Sequence, residues 1–240
     1  MSCFFAITTR DRIYLVADNR RRIFGRAGER AFDGAVLLDD ARKICRVCDS
    51  FWVAGTGLHE FLVRMVEEIR SAWIPREGRE GPDLKDLLTL RTWEETCRKI
   101  HGEAVTECRR AWERTKAGVW DPGESRGEIL LAFLPQDRHP VLLHGKSGED
   151  FVLSRHYGPG RVIVSSLSSS GDGFPDRELS ARLEWVAREL LKSDPSDEIR
   201  RAYDLLPPLL GFVSEIMPRE VSACGDLVVI HPGGYEWWLF

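Results

Sequence analysis

The chain begins with two short apolar runs separated by a charged segment. The runs cover residues 4–7 and 13–17, and the charged segment covers residues 10–12. Runs of this length, rich in β-branched and aromatic residues, are typical of two strands joined by a tight turn. With the turn in the charged segment, the pairing places Cys3 opposite Asp18 at the open end of a β-hairpin.

The rest of the chain alternates between short apolar runs and helical periodicity. Strands are predicted at 42–48, 51–55, 128–134, 140–144, 150–155 and 161–167, and on both sides of a turn at 232–234. Helices are predicted from Gly57 to a break at Pro75, over 84–116, over 175–191, and from about 195 until Pro207 and Pro208 kink or end it. The arginine-rich segment 19–41 is predicted as a long, exposed hairpin or loop, which binds an acidic substrate or a neighbouring subunit, or is simply solvated.

This order of elements predicts an α+β fold. Two antiparallel sheets packed face to face, with a helical layer outside each sheet, would bury the apolar runs. A chain of 240 residues is long enough for a substantial core, so residues 1–240 are predicted to form a single domain.

Composition excludes several classes of protein. The net charge of -4 argues against nucleic-acid binding by bulk attraction. No apolar run approaches the ~18 residues of a membrane span, and the short apolar start lacks a preceding basic region, so a cytoplasmic protein is expected. No phosphate loop, dinucleotide fingerprint or His-rich set occurs, and the Cys45–Cys48 pair has no second pair beside it. We therefore predict core thiols at that pair, and no cofactor or metal.

The predicted hairpin brings an amine, a hydroxyl and a carboxylate together at the start of the chain. Ser2 becomes the N-terminal residue if Met1 is removed, and the hairpin brings it close to Asp18. A serine hydroxyl needs a base, and an α-amine with a reference pKa near 8 lies on the same residue. The alternative interpretation is an ordinary chain start with Asp18 ending a strand. Cys3 is a rival nucleophile, but it would need the loss of Ser2 as well.

The stretch SCFFAITTRDRIYLVADNRR resembles the opening strands of proteasome β-type subunits, in which a nucleophile begins the mature chain. ARKICRVCDSFWVAGTGLHEFLVRMVEEIR continues the resemblance, with Lys43 at a strand start and glycines at 55 and 57 before a helix. The similarity covers most of the chain and is most specific over residues 2–70. It implies the four-layer αββα sandwich of the N-terminal-nucleophile (Ntn) hydrolases. It also implies Ser2 as nucleophile, with Asp18 and Lys43 as its charged partners.

The resemblance also implies supporting positions. The backbone N–H of Gly55 would stabilise the oxyanion. A serine near Gly171 would support the amine, and Ser169 and Ser170 match best, with Ser168 as an alternative. An acidic residue and a serine should precede the penultimate strand. Ser222 is the nearest match there, while Glu220 is out of step by one position and Asp226 lies further on.

The function implied is a proteasome-like peptidase that acts on peptides or unfolded proteins through an acyl-enzyme. The alternatives are a non-catalytic ring or scaffold subunit and a small-amide hydrolase with the same nucleophile. The resemblance further implies a homo-oligomer of stacked rings, and an ATP-dependent unfoldase as a candidate partner. The aromatic tail at 235–240 is expected to pack as a last strand within its own subunit, or to reach a neighbouring one.

Overall fold

Helices and antiparallel strands are mixed along the chain, which gives the α+β class. The computed structural model describes residues 3–24, 35–39, 41–73, 90–115, 126–135, 139–165, 174–218 and 221–240. The strands are β1 (Phe4–Thr8), β2 (Ile13–Asp18), β3 (Arg20–Phe24), β4 (Ala35–Asp39), β5 (Ile44–Cys48), β6 (Phe51–Thr56), β7 (Glu128–Phe133), β8 (Val141–Lys146), β9 (Ser154–Tyr157), β10 (Val162–Val164), β11 (Gly225–His231) and β12 (Gly234–Leu239). The helices are α1 (His59–Trp73), α2 (Leu90–Thr115), α3 (Phe174–Lys192), α4 (Glu198–Leu205) and α5 (Pro207–Ile216).

The predicted N-terminal hairpin is confirmed with its register. β1 and β2 are antiparallel, and Phe4 lies opposite Ala17. The N–H of Asp18 donates to the carbonyl of Cys3 at 3.1 Å, and the N–H of Thr9 donates to the carbonyl of Arg12 at 3.0 Å. Cys3 therefore faces Asp18 at the open end of the hairpin, as the apolar pattern predicted.

The strands form two five-stranded antiparallel sheets and one separate pair. Sheet I has the order β10-β1-β2-β11-β12, and sheet II has the order β5-β6-β7-β8-β9. β3 and β4 pair only with each other in the described structure. Of the two predictions for the arginine-rich segment, the hairpin is therefore the correct one.

Alternating side chains bury both faces of each sheet. Between the sheets, residues such as Phe4, Trp52 and Leu142 form one apolar cluster. On the other face of sheet I, Phe5 and its neighbours pack against α3, α4 and α5. On the other face of sheet II, Val53 and its neighbours pack against α1 and α2. Burial on both faces explains why these strands are continuous apolar runs in the sequence.

One predicted strand is displaced in the structure, and one predicted helix end is confirmed. The strand predicted at 150–155 begins later, at Ser154, and ends at Tyr157 as β9, because a 3₁₀ turn at Ser147–Glu149 and two residues of positive φ precede it. The second of these residues, Phe151, is 2% exposed, and the centre of its ring lies 5.3 Å from that of Phe61, so the turn places this side chain in the core. α4 ends before Pro207, where α5 begins, as the proline pair predicted.

The aromatic tail packs within its own chain. The ring of Trp52 lies 5.0 Å from Tyr235 and 5.9 Å from Trp237, across the space between the two sheets. Arg42 and Arg46 stack on the outer side of the same rings, 4.7 Å from Trp237 and 4.6 Å from Tyr235. The first of the two expectations for the tail is confirmed for these rings, while Leu239 stays 67% exposed. Among the described residues, no helix is long and apolar enough to cross a membrane.

A buried glutamate holds the turn end of the hairpin. The carboxylate of Glu198, in the first turn of α4, accepts hydrogen bonds from Thr9 Oγ1 at 2.5 Å and from Tyr14 Oη at 2.7 Å. Arg12 Nη1 lies 2.9 Å from its second oxygen. Burial, followed by this carboxylate, raises the pKa of Tyr14 well above its ordinary value, so the phenol stays a donor. The cluster ties α4 to the start of β2.

Replacing Glu198 should destabilise the protein strongly. Glu198→Ala leaves the guanidinium of Arg12, 12% exposed, without its buried partner, and breaking such a pair costs about 3–5 kcal/mol. Urea denaturation measures the loss. Glu178→Ala is the matched control, because it removes an exposed helical ion pair with Arg182 that contributes about 0.5 kcal/mol or less. Equal losses in the two variants would contradict the structural role of the cluster.

Candidate active site

The carboxylate of Asp18 is the centre of the candidate site. It is fully buried and lies where β2 ends. Its Oδ1 accepts the N–H of Cys3 at 2.6 Å and lies 2.7 Å from Nζ of Lys43. Its Oδ2 accepts the N–H of Arg20 at 3.0 Å and, more weakly, the N–H of Ser222 at 3.4 Å. Both oxygens of an acceptor-only group are thereby satisfied.

Lys43 is the buried cation of the site. It directly precedes β5 of sheet II, and its side chain is only 7% exposed. Burial lowers the pKa of Lys43 from its ordinary 10.5, and the neighbouring Asp18 carboxylate opposes that shift. The contact with Asp18 is a close ion pair, and among the described residues Nζ has no further acceptor. An ammonium carries three donors, so this one has donor capacity to spare.

Gly55 lies next to this pair, but its N–H is engaged. It donates to the carbonyl of Lys43 at 3.0 Å, as part of the pairing between β5 and β6. The N–H expected to stabilise an oxyanion is therefore used inside the sheet in this structure. The absence of a side chain has a packing reason as well, because a Cβ here would lie 3.1 Å from Leu62 and 3.2 Å from the carbonyl of Glu128.

The glycine two positions later makes the turn into α1. Gly57 has a φ of +93°, which favours glycine, and a Cβ there would lie 2.2 Å from the carbonyl oxygen of Arg126. The predicted glycine turn after the strand is thus confirmed. His59 begins α1 and is exposed.

Of the three residues weighed near the penultimate strand, the structure describes Ser222 and Asp226, and Ser222 lies in the site. Its N–H points at Asp18, while its hydroxyl accepts the N–H of Cys224 at 3.1 Å. Asp226 instead accepts the indole N–H of Trp237 at 2.7 Å, and burial raises the pKa of its carboxyl. Ser222 therefore contributes backbone to the Asp18 cluster, and Asp226 holds the tail.

Several predicted site residues lie outside the described residues: Ser2, Ser168, Ser169, Ser170 and Glu220. The described part of the predicted site is the group of Asp18, Lys43, Gly55 and Ser222. Asp18, Lys43 and Ser222 meet beside the N–H of Cys3, and Gly55 is joined to them through the carbonyl of Lys43.

Sequence reasoning missed two residues that contact this region. Arg20 donates its backbone N–H to Asp18, and its guanidinium donates to the carbonyls of Pro218 and Val221. Ser165 is fully buried, and its hydroxyl accepts the N–H of Phe4. Their position in the sequence is the signal that could have found them. Each is a polar residue next to the end of a strand: Arg20 lies two positions after the end of β2, and Ser165 directly follows β10.

The cysteines offer no metal site in the described structure. None of the six, all of which are described, forms a disulfide. Cys45 is half-buried and Cys48 is exposed, so the prediction of a core thiol is wrong for Cys48. In the described ranges, no group of three or more His, Cys, Asp or Glu side chains is placed to hold a metal ion.

No protein-family model matches the chain, and no curated protein is significantly similar to it.

The Asp18–Lys43 pair should be energetically coupled. Asp18→Asn leaves a buried ammonium without its counter-ion, and we expect a loss of about 3–5 kcal/mol. Lys43→Met added to that variant should recover part of the loss, because the uncompensated charge disappears. A double-mutant cycle by denaturation should give a coupling of about 1–3 kcal/mol.

The exposed helical pair Arg91 and Glu95 is the control for this cycle, with an expected coupling of about 0.5 kcal/mol or less. Strictly additive losses for Asp18 and Lys43 would contradict the ion pair.

Proposed function

We propose that the chain is an Ntn hydrolase of the proteasome β-type kind that cleaves peptide bonds. Ser2 is the proposed nucleophile once Met1 has been removed. One observation carries the proposal: the buried carboxylate of Asp18 binds both Lys43 Nζ and the N–H of Cys3. That N–H belongs to the peptide bond that joins Cys3 to Ser2, so the ion pair lies one peptide unit from the proposed nucleophile.

The proposed reaction uses the α-amine of Ser2 as its base. The amine takes the hydroxyl proton while Oγ attacks the peptide carbonyl, and the carbonyl electron pair moves to its oxygen. Collapse of this tetrahedral species breaks the C–N bond, and the departing amine takes the proton from the α-ammonium. Water then attacks the acyl-enzyme ester with the same amine as base, and this step releases the acid and restores Ser2.

Lys43 would lower the energy of the developing alkoxide. Its positive charge is buried, and a charge acts more strongly where water is excluded. Asp18 would hold the ammonium in place. The donor capacity that Asp18 leaves unused on Nζ supports this role.

The packing of the sheets supports the four-layer αββα sandwich that we propose for residues 1–240. The clusters follow one another as α1 and α2, sheet II, sheet I, and then α3 to α5. This succession is the one that the resemblance implies for the family. It also leaves the Asp18 cluster where the two sheets meet, since Lys43 adjoins sheet II and Asp18 belongs to sheet I.

One observation favours a second candidate, a non-catalytic subunit with the same fold. The N–H of Gly55 is bonded to the carbonyl of Lys43. An oxyanion donor contributes about 3–4 kcal/mol to catalysis, so a donor that stays engaged would leave the reaction slow. The same fold without turnover would serve as a ring component or a scaffold.

Covalent labelling distinguishes the two candidates. Incubation with a β-lactone or an epoxyketone, followed by intact mass and peptide mapping, should place one adduct on Ser2, and Ser2→Ala should abolish it. Lys43→Met should slow labelling by about 100-fold or more, because the charge that stabilises the alkoxide is lost. The labelling rate should rise with pH until the α-amine, with a reference pKa near 8, is neutral.

Lys192→Met is the control, because it removes an exposed lysine at the end of α3 and should leave the labelling rate unchanged. A retained Met1 or the absence of any Ser2 adduct would favour the non-catalytic candidate.

We further propose that the chain assembles into a homo-oligomer of stacked rings. The exposed Leu239 and Tyr203 lie on or near the edge strand β12, with Tyr203 6.1 Å from the ring of Trp238, and they offer apolar contact area. Native mass spectrometry at micromolar concentration should show a multiple of 27.4 kDa. A clean monomer would remove the ring and leave a free-standing hydrolase.

A further inference from the structure

The N–H groups of Cys3, which directly precedes β1, and of Phe4, its first residue, are held by side chains rather than by the usual backbone acceptors. β1 lies between β2 and β10, and both neighbours reach their ends where β1 begins. Opposite residues of a hydrogen-bonded antiparallel pair normally exchange two N–H···O=C bonds. At this end of β1, a side-chain oxygen replaces one backbone acceptor in each of the two exchanges.

On one side the altered residue is Asp18. Its backbone N–H donates to the carbonyl of Cys3, as in a regular ladder. The return bond, from the N–H of Cys3, goes to the carboxylate at 2.6 Å instead of to the carbonyl of Asp18.

On the other side the altered residue is Ser165, which directly follows β10. Its N–H donates to the carbonyl of Phe4 at 2.9 Å, and the return bond from the N–H of Phe4 goes to the hydroxyl of Ser165, also at 2.9 Å. Both Ser165 and Asp18 are fully buried. Two side-chain oxygens on opposite sides therefore determine where β1 begins.

We infer that Ser165 is a positioning residue for the N-terminal nucleophile, the counterpart of Asp18 on the opposite side of β1. This inference rests on the proposed function, since it concerns the placement of Ser2. A strand end is the part of a strand that frays most readily, and Ser2 directly precedes the two anchored residues. A misplacement of about 1 Å at a reacting group can cost about 100-fold in rate. Ser165 acts through the backbone of Phe4 and has no chemical step of its own.

Thr8 provides a matched control at the far end of the same strand pair. Its hydroxyl donates to the carbonyl of Gly158 at 2.7 Å and accepts the N–H of Arg161 at 2.9 Å, and the residue is fully buried. Thr8→Val therefore removes hydroxyl bonds between β1 and the β10 side without touching the start of β1. Its loss of stability should equal or exceed that of Ser165→Ala.

The test measures two independent quantities in S165A, S165T, S165C and T8V. The first is β-lactone labelling of Ser2, resolved into kinact and KI. The second is the hydrogen-exchange rate of the Cys3 and Phe4 amides, measured by NMR.

We expect S165A to lower kinact by about 10- to 100-fold with little change in KI, and to speed Phe4 exchange. S165T, which keeps the hydroxyl, should restore kinact to within about threefold, and S165C should fall between because a thiol is a weak acceptor. T8V should keep the wild-type kinact.

The possible failures are distinguishable. A Ser2 adduct in the wild type, with unchanged kinact in S165A, overturns the positioning role alone. Equal losses of kinact in S165A and T8V overturn it too, because the effect would then follow stability. No adduct in the wild type refutes the proposed function, and with it the catalytic purpose of Ser165. If S165A does not fold, the comparison of S165T and S165C with T8V decides the same question.

Discussion

The carboxylate of Asp18 is the constraint on which this end of the molecule depends. A charged group with no exposure to water is costly unless donors surround it. Its donors come from the start of β1, from Arg20, from Ser222 and from Lys43 beside the opposite sheet. Satisfying one buried carboxylate thus joins parts of the chain that periodicity alone would not bring together. It also brings a cation to the beginning of the chain.

A second buried carboxylate acts at the other end of the same hairpin. Glu198 receives the hydroxyls of Thr9 and Tyr14 and the guanidinium of Arg12. The β1–β2 hairpin is therefore held at its turn by α4 and at its open end by the Asp18 cluster. It also lies inside sheet I, with a paired strand on either side. Fixing both ends of an element is how a functional group on it acquires a defined position.

Aromatic and arginine side chains cover the edges of the two sheets at β12 and β5. At one edge, the tail strand β12 brings Tyr235 and Trp237 onto Trp52, and Arg42, just before β5, and Arg46, within β5, stack on these two rings. Arg46 also donates to the hydroxyl of Tyr235 at 3.0 Å. An aromatic ring covers apolar area and accepts a cation on its face, so the pairs close the edge with side chains of the same subunit. Near the tip of the tail, Leu239 stays exposed as apolar surface for another contact.

The sequence by itself determined those elements that depend only on residues close together in the chain. The register of β1 with β2 follows from two apolar runs and a short turn, since an alternating pattern with a tight turn leaves one good pairing. The glycine turn before α1 and the helix break at Pro207 follow from backbone sterics at single residues. The tertiary structure decided which acceptor each buried hydrogen-bond donor meets and which distant residues become partners. Ser165 meets Phe4 across 161 positions and Glu198 meets Tyr14 across 184, and no periodicity links residues so far apart. It also placed Ser222 rather than Asp226 at Asp18, and engaged the N–H of Gly55 in the sheet, because strand pairing assigns each backbone donor its acceptor.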